Sequence, residues 1–297
     1  MTNAKQPARF TLATCFFATD LHGCIDRYQK LFNAIEAERP NAVFLGGDLL
    51  PSAASVLANH RDAGDFSTAF IELHLRRIRE VLANSYPHVF LILGNDDPRV
   101  EEDAIADAAN KGVWDYMHGC RATFGPFEVF GYNYVPPTPF LLKDWERYDV
   151  GCYVDPGCVS PEEGIRTVPV SAREARNTTI QADLDRLVGD TKLNKAILLF
   201  HSPPHATKLD RAALDGKLVD HAPVDVHVGS IAIRRFIESR QPLLTLHGHI
   251  HESARLTGAW KDKIGNTICL SAAHDGPELA LVRFDPANPS VATRELI

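Results

Sequence analysis

Five apolar runs in this chain stop abruptly at a small cluster of polar residues. Phe10 to Thr19 runs into Asp20-Leu21-His22-Gly23, and Ala42 to Leu45 into Gly46-Gly47-Asp48. Val89 to Leu93 ends at Gly94-Asn95-Asp96-Asp97-Pro98, Ala196 to Phe200 at His201, and Leu243 to Leu246 at His247-Gly248-His249-Ile250-His251. Runs this short and this apolar read as buried strands. Amphipathic stretches lie between them, and that alternation is the rhythm of an α/β protein.

Helical spacing fills the gaps. Asp26 with Gln29 three residues on reads as an N-cap ahead of Tyr28, Leu31, Phe32 and Ile35, and Pro40 closes that helix. Further helices are expected over Ser67 to Asn84, Val100 to Asn110, Thr179 to Val188, and from a Ser230 cap to Arg240. Ala122 to Tyr132 reads as a hairpin around Gly125-Pro126, and the tail from Thr267 as strands with turns at His274-Asp275-Gly276 and Asp285 to Pro289. Asn133 to Thr178 is rich in Pro and Gly and has no clear period. Loops of that length inside a compact domain are usually lids or binding loops, so 133–178 is expected to rim the functional site. One domain spanning 1–297 fits this pattern.

Bulk properties narrow the class. Of 297 residues, 45% are apolar and 23% charged, which is ordinary for a globular chain. The net charge of -7 opposes sequence-independent binding of a nucleic-acid polymer, which needs many cations on phosphates. No apolar run reaches the length of a membrane span. Phe10 to Ala18 resembles a signal-peptide core in length but leads straight into Asp20 without a cleavage-site pattern. The cysteines at 15, 24, 120, 152, 158 and 269 lack zinc-knuckle spacing and are expected as free thiols of a cytoplasmic protein, although Cys152 and Cys158 flank a turn where they could pair.

The polar clusters carry the chemistry. Residues two apart in an extended segment share a face, so His249 and His251 would aim together if the chain stays extended past its strand. Functional groups in open α/β sheets gather beyond the carboxyl ends of strands. The donors collected there are Asp20, His22, Asp48, Asn95, His201, His249 and His251. Seven oxygen and nitrogen donors suffice for two divalent ions when one carboxylate is shared. Without thiolates, the set suits Mn, Fe, Zn or Mg.

The ordered series Asp-x-His, Gly-Asp, Gly-Asn-x-Asp, a lone His and Gly-His-x-His, from Asp20 to His251, resembles the calcineurin-like metallophosphoesterase superfamily. The run from His201 to Asp210, with His227-Val-Gly-Ser230, is similar to a prokaryotic group of phosphoesterases related to bacterial cyclic-nucleotide phosphodiesterases. The resemblance implies a four-layer α/β/β/α sandwich of two mixed sheets flanked by helices. It implies a first metal on Asp20, His22 and His251, a second on Asn95, His201 and His249, and Asp48 bridging both. A hydroxide held between the ions would attack phosphorus in line.

One position departs from that pattern. Many members carry His after the Asn, where this chain has Asp96. A carboxylate beside dications stays ionised and donates no proton at neutral pH. Asp96 is therefore a catalytic position of altered character, and His205, four residues beyond a ligand in a Ser-Pro-Pro turn, is the expected substitute proton donor. Asn133, Tyr134 and Arg99 are candidates for contacting substrate, and Lys208 and Asp210 for shaping the rim. Asp97 reads as a structural hydrogen-bond acceptor and His247 as a core or supporting residue. His60, His74, His88, His118 and His221 have no ligand-like context, and His274 depends on whether the tail returns to the site. The leading reading is a phosphodiesterase acting on a small soluble substrate. A phosphomonoesterase or protein phosphatase is the alternative, and a non-catalytic scaffold a further one. The oligomeric state stays open, with a homodimer among the alternatives.

Overall fold

The computed structural model describes residues 14–52 and 66–297; the first residues of the expected opening strand and His60 lie outside the described residues. The strands in chain order are β1 (Cys15–Ala18), β2 (Ala42–Gly46), β3 (His88–Ile92), β4 (Asp115–Tyr116), β5 (Arg121–Phe124), β6 (Phe127–Tyr132) and β7 (Ala196–Phe200). They continue with a short ribbon of β8 (Leu218–Val219) and β9 (Ala222–Pro223), then β10 (Leu244–His247), β11 (Lys261–Ile264), β12 (Thr267–Ser271), β13 (Ala280–Phe284) and β14 (Thr293–Leu296). One six-stranded sheet has the order β14-β13-β1-β2-β3-β4 and the other β11-β12-β10-β7-β6-β5. Both are mixed: β1, β2, β3 and β4 run parallel in the first, and β6, β7, β10 and β12 in the second, with antiparallel strands at the edges. Two mixed sheets flanked by helices make the expected sandwich.

The period of two along each strand explains why the sheets face each other. Phe17, Phe44, Phe90 and Ile92 from the first sheet meet Val129, Ile197, Leu199, Leu246 and Leu270 from the second in one buried cluster. Their neighbours Phe16, Val43, Leu45, Val89, Leu91 and Leu198 point the other way and pack with helix residues such as Leu31, Ile78, Leu184 and Phe236. Strands buried on both faces must be apolar at every position, which is why they read as unbroken runs. Each fully buried aromatic or branched side chain contributes roughly 1.5–3 kcal/mol by leaving water.

Several local expectations change. The first helix spans Ile25–Glu38 with Cys24 ahead of it, so Asp26 is no cap; it lies in the first turn, and its carboxylate meets Lys30 one turn on at 2.6 Å. The helix ends where Arg39 turns left-handed, just before Pro40. Ser67–Glu72 is wound as a π-helix before the α-helix Leu73–Leu82 begins. A helix at Ala172–Asn177, capped by Ser171, interrupts the passage expected to be irregular throughout. The helix Ile231–Arg240 starts at Ser230 as expected, and Asp149 from the long loop adds its carboxylate to the amides of Ile231 and Ala232. All six cysteines are unpaired, Cys152 and Cys158 included.

Candidate metal centre

Parallel strands send their carboxyl ends to one edge, and here two sheets do so side by side. Asp20 follows β1, Asp48 follows β2, Asn95 follows β3, His201 follows β7, and His249 and His251 follow β10. The chain turns steeply at each point. Asp20, His22, Asp48 and His249 have φ of 55°, 46°, 51° and 74°, the left-handed region that side chains other than glycine avoid. Asp and His tolerate it better than bulkier residues, yet four such residues at one edge mark a backbone bent to aim side chains. His249 therefore is not in an extended segment, contrary to the expectation for the His-x-His pair. After β10 ends at His247 the chain curls, with the Ile250 amide donating to the Gly248 carbonyl at 2.9 Å. The two imidazoles consequently diverge.

His251 goes to one side. Its ring centroid is 5.0 Å from that of His22 and its Nε2 is 3.3 Å from Asp20 Oδ1. Nε2 of His22 lies 3.2 Å from Nε2 of His251 and 3.9 Å from Asp48 Oδ2. One donor atom each from Asp20, His22, Asp48 and His251 falls within 4.8 Å of the others, close enough to serve one ion. On its far ring nitrogen His22 faces Asp96: Nδ1 is 3.3 Å from Oδ2. A carboxylate there fixes the tautomer that leaves Nε2 free to ligate.

His249 goes to the other side, its ring centroid 5.2 Å from that of His201. His201 is fully buried, and its Nδ1 is 2.8 Å from the Gly46 carbonyl, which can only accept. That fixes Nδ1 as the protonated nitrogen and turns the Nε2 lone pair toward Asp48 Oδ2, 3.2 Å away. In the neutral imidazole two acceptors then face each other, a conflict that either a proton or a metal ion on Nε2 relieves. His201 Nε2 and Asn95 Oδ1 are both buried atoms without a hydrogen-bond partner. Buried polar atoms in that state carry a penalty that a cation between them would remove. The residues present thus fit divalent metal, with Asp48 facing both groups.

Electrostatics tell the same story. Burial opposes charge on His22 and His201, yet the surrounding Asp96, Asp48 and Asp20 carboxylates hold both imidazoles up at about 9. Desolvation and the neighbouring His201 charge push His249 down to about 3, so it stays neutral. Burial also opposes ionisation of Asp48, but His201, His22 and the Asp96 amide hold it well below the usual carboxylate range. The cluster is a sink for positive charge, and a metal entering it displaces protons.

The chain matches the family described as calcineurin-like phosphoesterase over residues 14–253. The chain belongs to that family. It is a metal-dependent phosphoester hydrolase, and the Asp20, His22, Asp48 and His251 cluster is a candidate site for divalent metal. Among solved structures, one from Thermus thermophilus is 16% identical, with a TM-score of 0.53 over 96% of this chain and 99% of its own. A dimetal phosphatase from Danio rerio is 13% identical, with a TM-score of 0.51 over 92% of each chain. At such identities these neighbours speak for the fold alone. No curated protein matches the chain.

The family's edge is supported by tight backbone packing. A Cβ on Gly94 would sit 2.3 Å from Asp48 Oδ1 and 2.6 Å from His201 Nε2, and one on Gly248 would sit 2.2 Å from Thr19 Oγ1. Asp97, fully buried, accepts the amides of Leu49, Leu50 and Gly94 and so pins the loops carrying Asp48 and Asn95 together, the structural role expected of it. Burial and the nearby Asp48 push its carboxyl up to about 7 against those three donors. His247 is likewise buried, with its two nitrogens on Ser202 and Thr245.

Other candidates lie elsewhere. Asn133 is fully buried, its Oδ1 accepting from the Leu93 amide and its Nδ2 donating to the Tyr116 hydroxyl, so both ends are occupied by the scaffold. Tyr134 is buried beneath the Arg147 guanidinium, 3.9 Å above its ring. Neither side chain lines the cleft beside His22 and His251. Arg99 is paired to Glu102 and lies 5.2 Å over the Trp145 ring. His205 faces Asp225 at 3.4 Å, with His227 alongside. Asp210 is fully buried and organises its own loop through the amides of Ala206, Thr207 and Gly229. Sequence reasoning missed Arg27, whose guanidinium donates to the Asp20 carbonyl at 2.6 Å and also to that of Gly276. On a helix surface an Arg every few residues is unremarked, and only the return of the tail reveals its place.

Proposed function

We propose that the chain hydrolyses a small phosphodiester with two divalent ions, Mn, Fe, Zn or Mg, one on Asp20, His22 and His251 and the other on Asn95, His201 and His249, with Asp48 shared. The observation that carries this reading is the parting of His249 and His251, each against a different histidine, on either side of one buried carboxylate. Two divalent ions, when bound, supply Lewis acidity toward the phosphoryl oxygens and a hydroxide for in-line attack. The protein's own part is to fix these donors on strained, glycine-packed turns, so that little reorganisation accompanies reaction.

Charge around the site favours a diester over a monoester. A cleft of about 500 Å³ beside His22 and His251 has Arg27 as its one Lys or Arg among the described lining residues, and Arg27 is committed to two carbonyls. Asp96 adds negative charge nearby, and the Asp26 carboxylate in the cleft is already paired with Lys30. Beyond the two ions, a dianionic monoester would find no uncommitted cation for its second charge among the described lining residues, and a monoanionic diester needs none. The volume suits a small molecule, and the net charge of -7 disfavours a polymer.

The test is hydrolysis of matched nitrophenyl monoester and diester by Mn²⁺-loaded protein, with metal counted by elemental analysis. A higher kcat/KM for the diester and two equivalents of metal are expected. Preference for the monoester overturns the substrate class, and absence of metal after metal-replete purification favours a scaffold. Asp96→His should raise monoester turnover if the carboxylate sets selectivity.

A further inference from the structure

The same cleft is lined by a histidine that no ligand role absorbs. His274 shares it with His22, His251 and Arg27. It sits in the loop after β12, and the register of β10 with β12 sets Ser271 beside His247. The loop therefore leaves its sheet at the edge that carries His249 and His251. Three guanidiniums from separate parts of the chain hold it: Arg27 on the Gly276 carbonyl, Arg255 on Asp275 at 2.7 Å, and Arg294 on the Ala273 carbonyl at 2.7 Å. Arg27 at the same time holds the Asp20 carbonyl, so the loop is fastened to the metal centre's own backbone.

Within the loop, Nε2 of His274 is 3.0 Å from Glu278 Oε2, and the pair closes over Gly276, where a Cβ would fall 2.4 Å from that nitrogen. A carboxylate on Nε2 orients the ring and leaves Nδ1, which has no partner among the described residues. The side chain is 16% exposed, so it is fixed yet still open to the cleft. The alternatives are otherwise engaged. Asp96 is held against His22, and His205 does not line this cleft.

We propose that His274, oriented by Glu278, protonates the leaving oxygen of a phosphoester bound in this cleft. The proposal rests on the phosphoester hydrolysis argued above and supplies the proton that Asp96 cannot. As the attacking hydroxide oxygen bonds to phosphorus, the bond from phosphorus to the leaving oxygen breaks and its electron pair stays on that oxygen. The proton on His274 Nδ1 moves to it, giving a neutral alcohol and a neutral imidazole, which water reprotonates. The charged groups around the ring are Glu278, Arg27, the Asp275–Arg255 pair, Asp26 in the same cleft, and its partner Lys30, which approaches Glu278.

The experiment compares the full chain with His274→Gln and Glu278→Gln, each loaded with Mn²⁺, on methyl phosphodiesters whose second group runs from nitrophenol to a simple alcohol. A nitrophenolate departs without a proton, whereas an alkoxide needs one. His274→Gln is expected to lose on the order of 100-fold in kcat on the alkyl ester and only a few-fold on the nitrophenyl ester, with parental metal content. Glu278→Gln, an exposed change, should shift the same dependence in the same direction by less. Equal losses across the series, no loss, or loss of metal in His274→Gln overturns the proposal, the first and last by revealing a structural role. A parent inactive on every ester overturns the hydrolase reading beneath it, whereas an active parent with equal losses overturns His274 alone.

Discussion

Oδ2 of Asp96 lies 3.3 Å from Nδ1 of His22, on the ring nitrogen opposite the one that faces Asp20, Asp48 and His251. The position that departs from the family's usual histidine therefore supports a proposed ligand from behind. Its backbone contributes as well, since the Asp96 amide donates to Asp48 Oδ1 at 2.8 Å. Removing the side chain leaves that amide in place, so the two contributions separate.

Asp96→Ala should weaken the metal site that contains His22 by about 10–100-fold, the usual cost of deleting a carboxylate behind a ligating histidine. Asp96→Asn, whose amide oxygen still accepts from Nδ1, should lose less. Competition between the protein and a chelating dye for Mn²⁺ measures both. Parental affinity in Asp96→Ala would remove the orienting role.

The parting of the His-x-His pair makes a second prediction. His251→Ala and His249→Ala should each lower bound metal from two equivalents to about one, because each leaves the other donor group intact around Asp48. His22→Ala should pair with the first and His201→Ala with the second. Elemental analysis after dialysis reads the counts. Complete loss of metal in both variants would mean a single joint site.

What could be read from sequence follows from what residue type encodes. Strands such as Val43-Phe44-Leu45 are apolar because both faces are covered, and the polar clusters follow them because the edge is where function sits. The left-handed turns at Asp20, Asp48 and His249 are not encoded in any glycine, so an extended His-x-His was the natural but wrong expectation. β4 and β11 are short edge strands with charged residues, which carry little strand signal. Asn133 looked like a loop residue near the site, and only the fold shows its amide closing a gap between β3 and Tyr116. Arg27 and His274 are 247 positions apart in sequence, and no local pattern joins them.

The core between the sheets should respond independently of the site. Phe90 is fully buried, with its ring 5.1 Å from that of Phe44. Phe90→Ala should cost about 3–5 kcal/mol of stability through lost burial and an unfilled cavity. Urea denaturation with a fluorescence readout measures it, and the folded protein should retain its metal. Loss below about 1 kcal/mol would mean that the layers collapse to fill the gap.

Gly94 tests whether the metal edge depends on backbone proximity. Its φ lies outside the left-handed region, so alanine is conformationally permitted and only space forbids it. The added Cβ would fall 2.3 Å from Asp48 Oδ1, 2.5 Å from the Asp48 amide nitrogen and 2.6 Å from His201 Nε2. Asp48 cannot swing clear without losing the Asp96 amide, and His201 cannot without losing the Gly46 carbonyl. Gly94→Ala should therefore displace the shared carboxylate, release both ions and destabilise the chain by about 1–3 kcal/mol, the range for overpacking a tight site. Gly151→Ala is the control, since its Cβ would find its nearest neighbour, Tyr153, at a comfortable 3.6 Å. Metal content and urea midpoint should be parental in Gly151→Ala and both reduced in Gly94→Ala. Retention of two equivalents by Gly94→Ala would show that Asp48 has room to move, and with it that the close approach of these loops does not set the geometry of the centre.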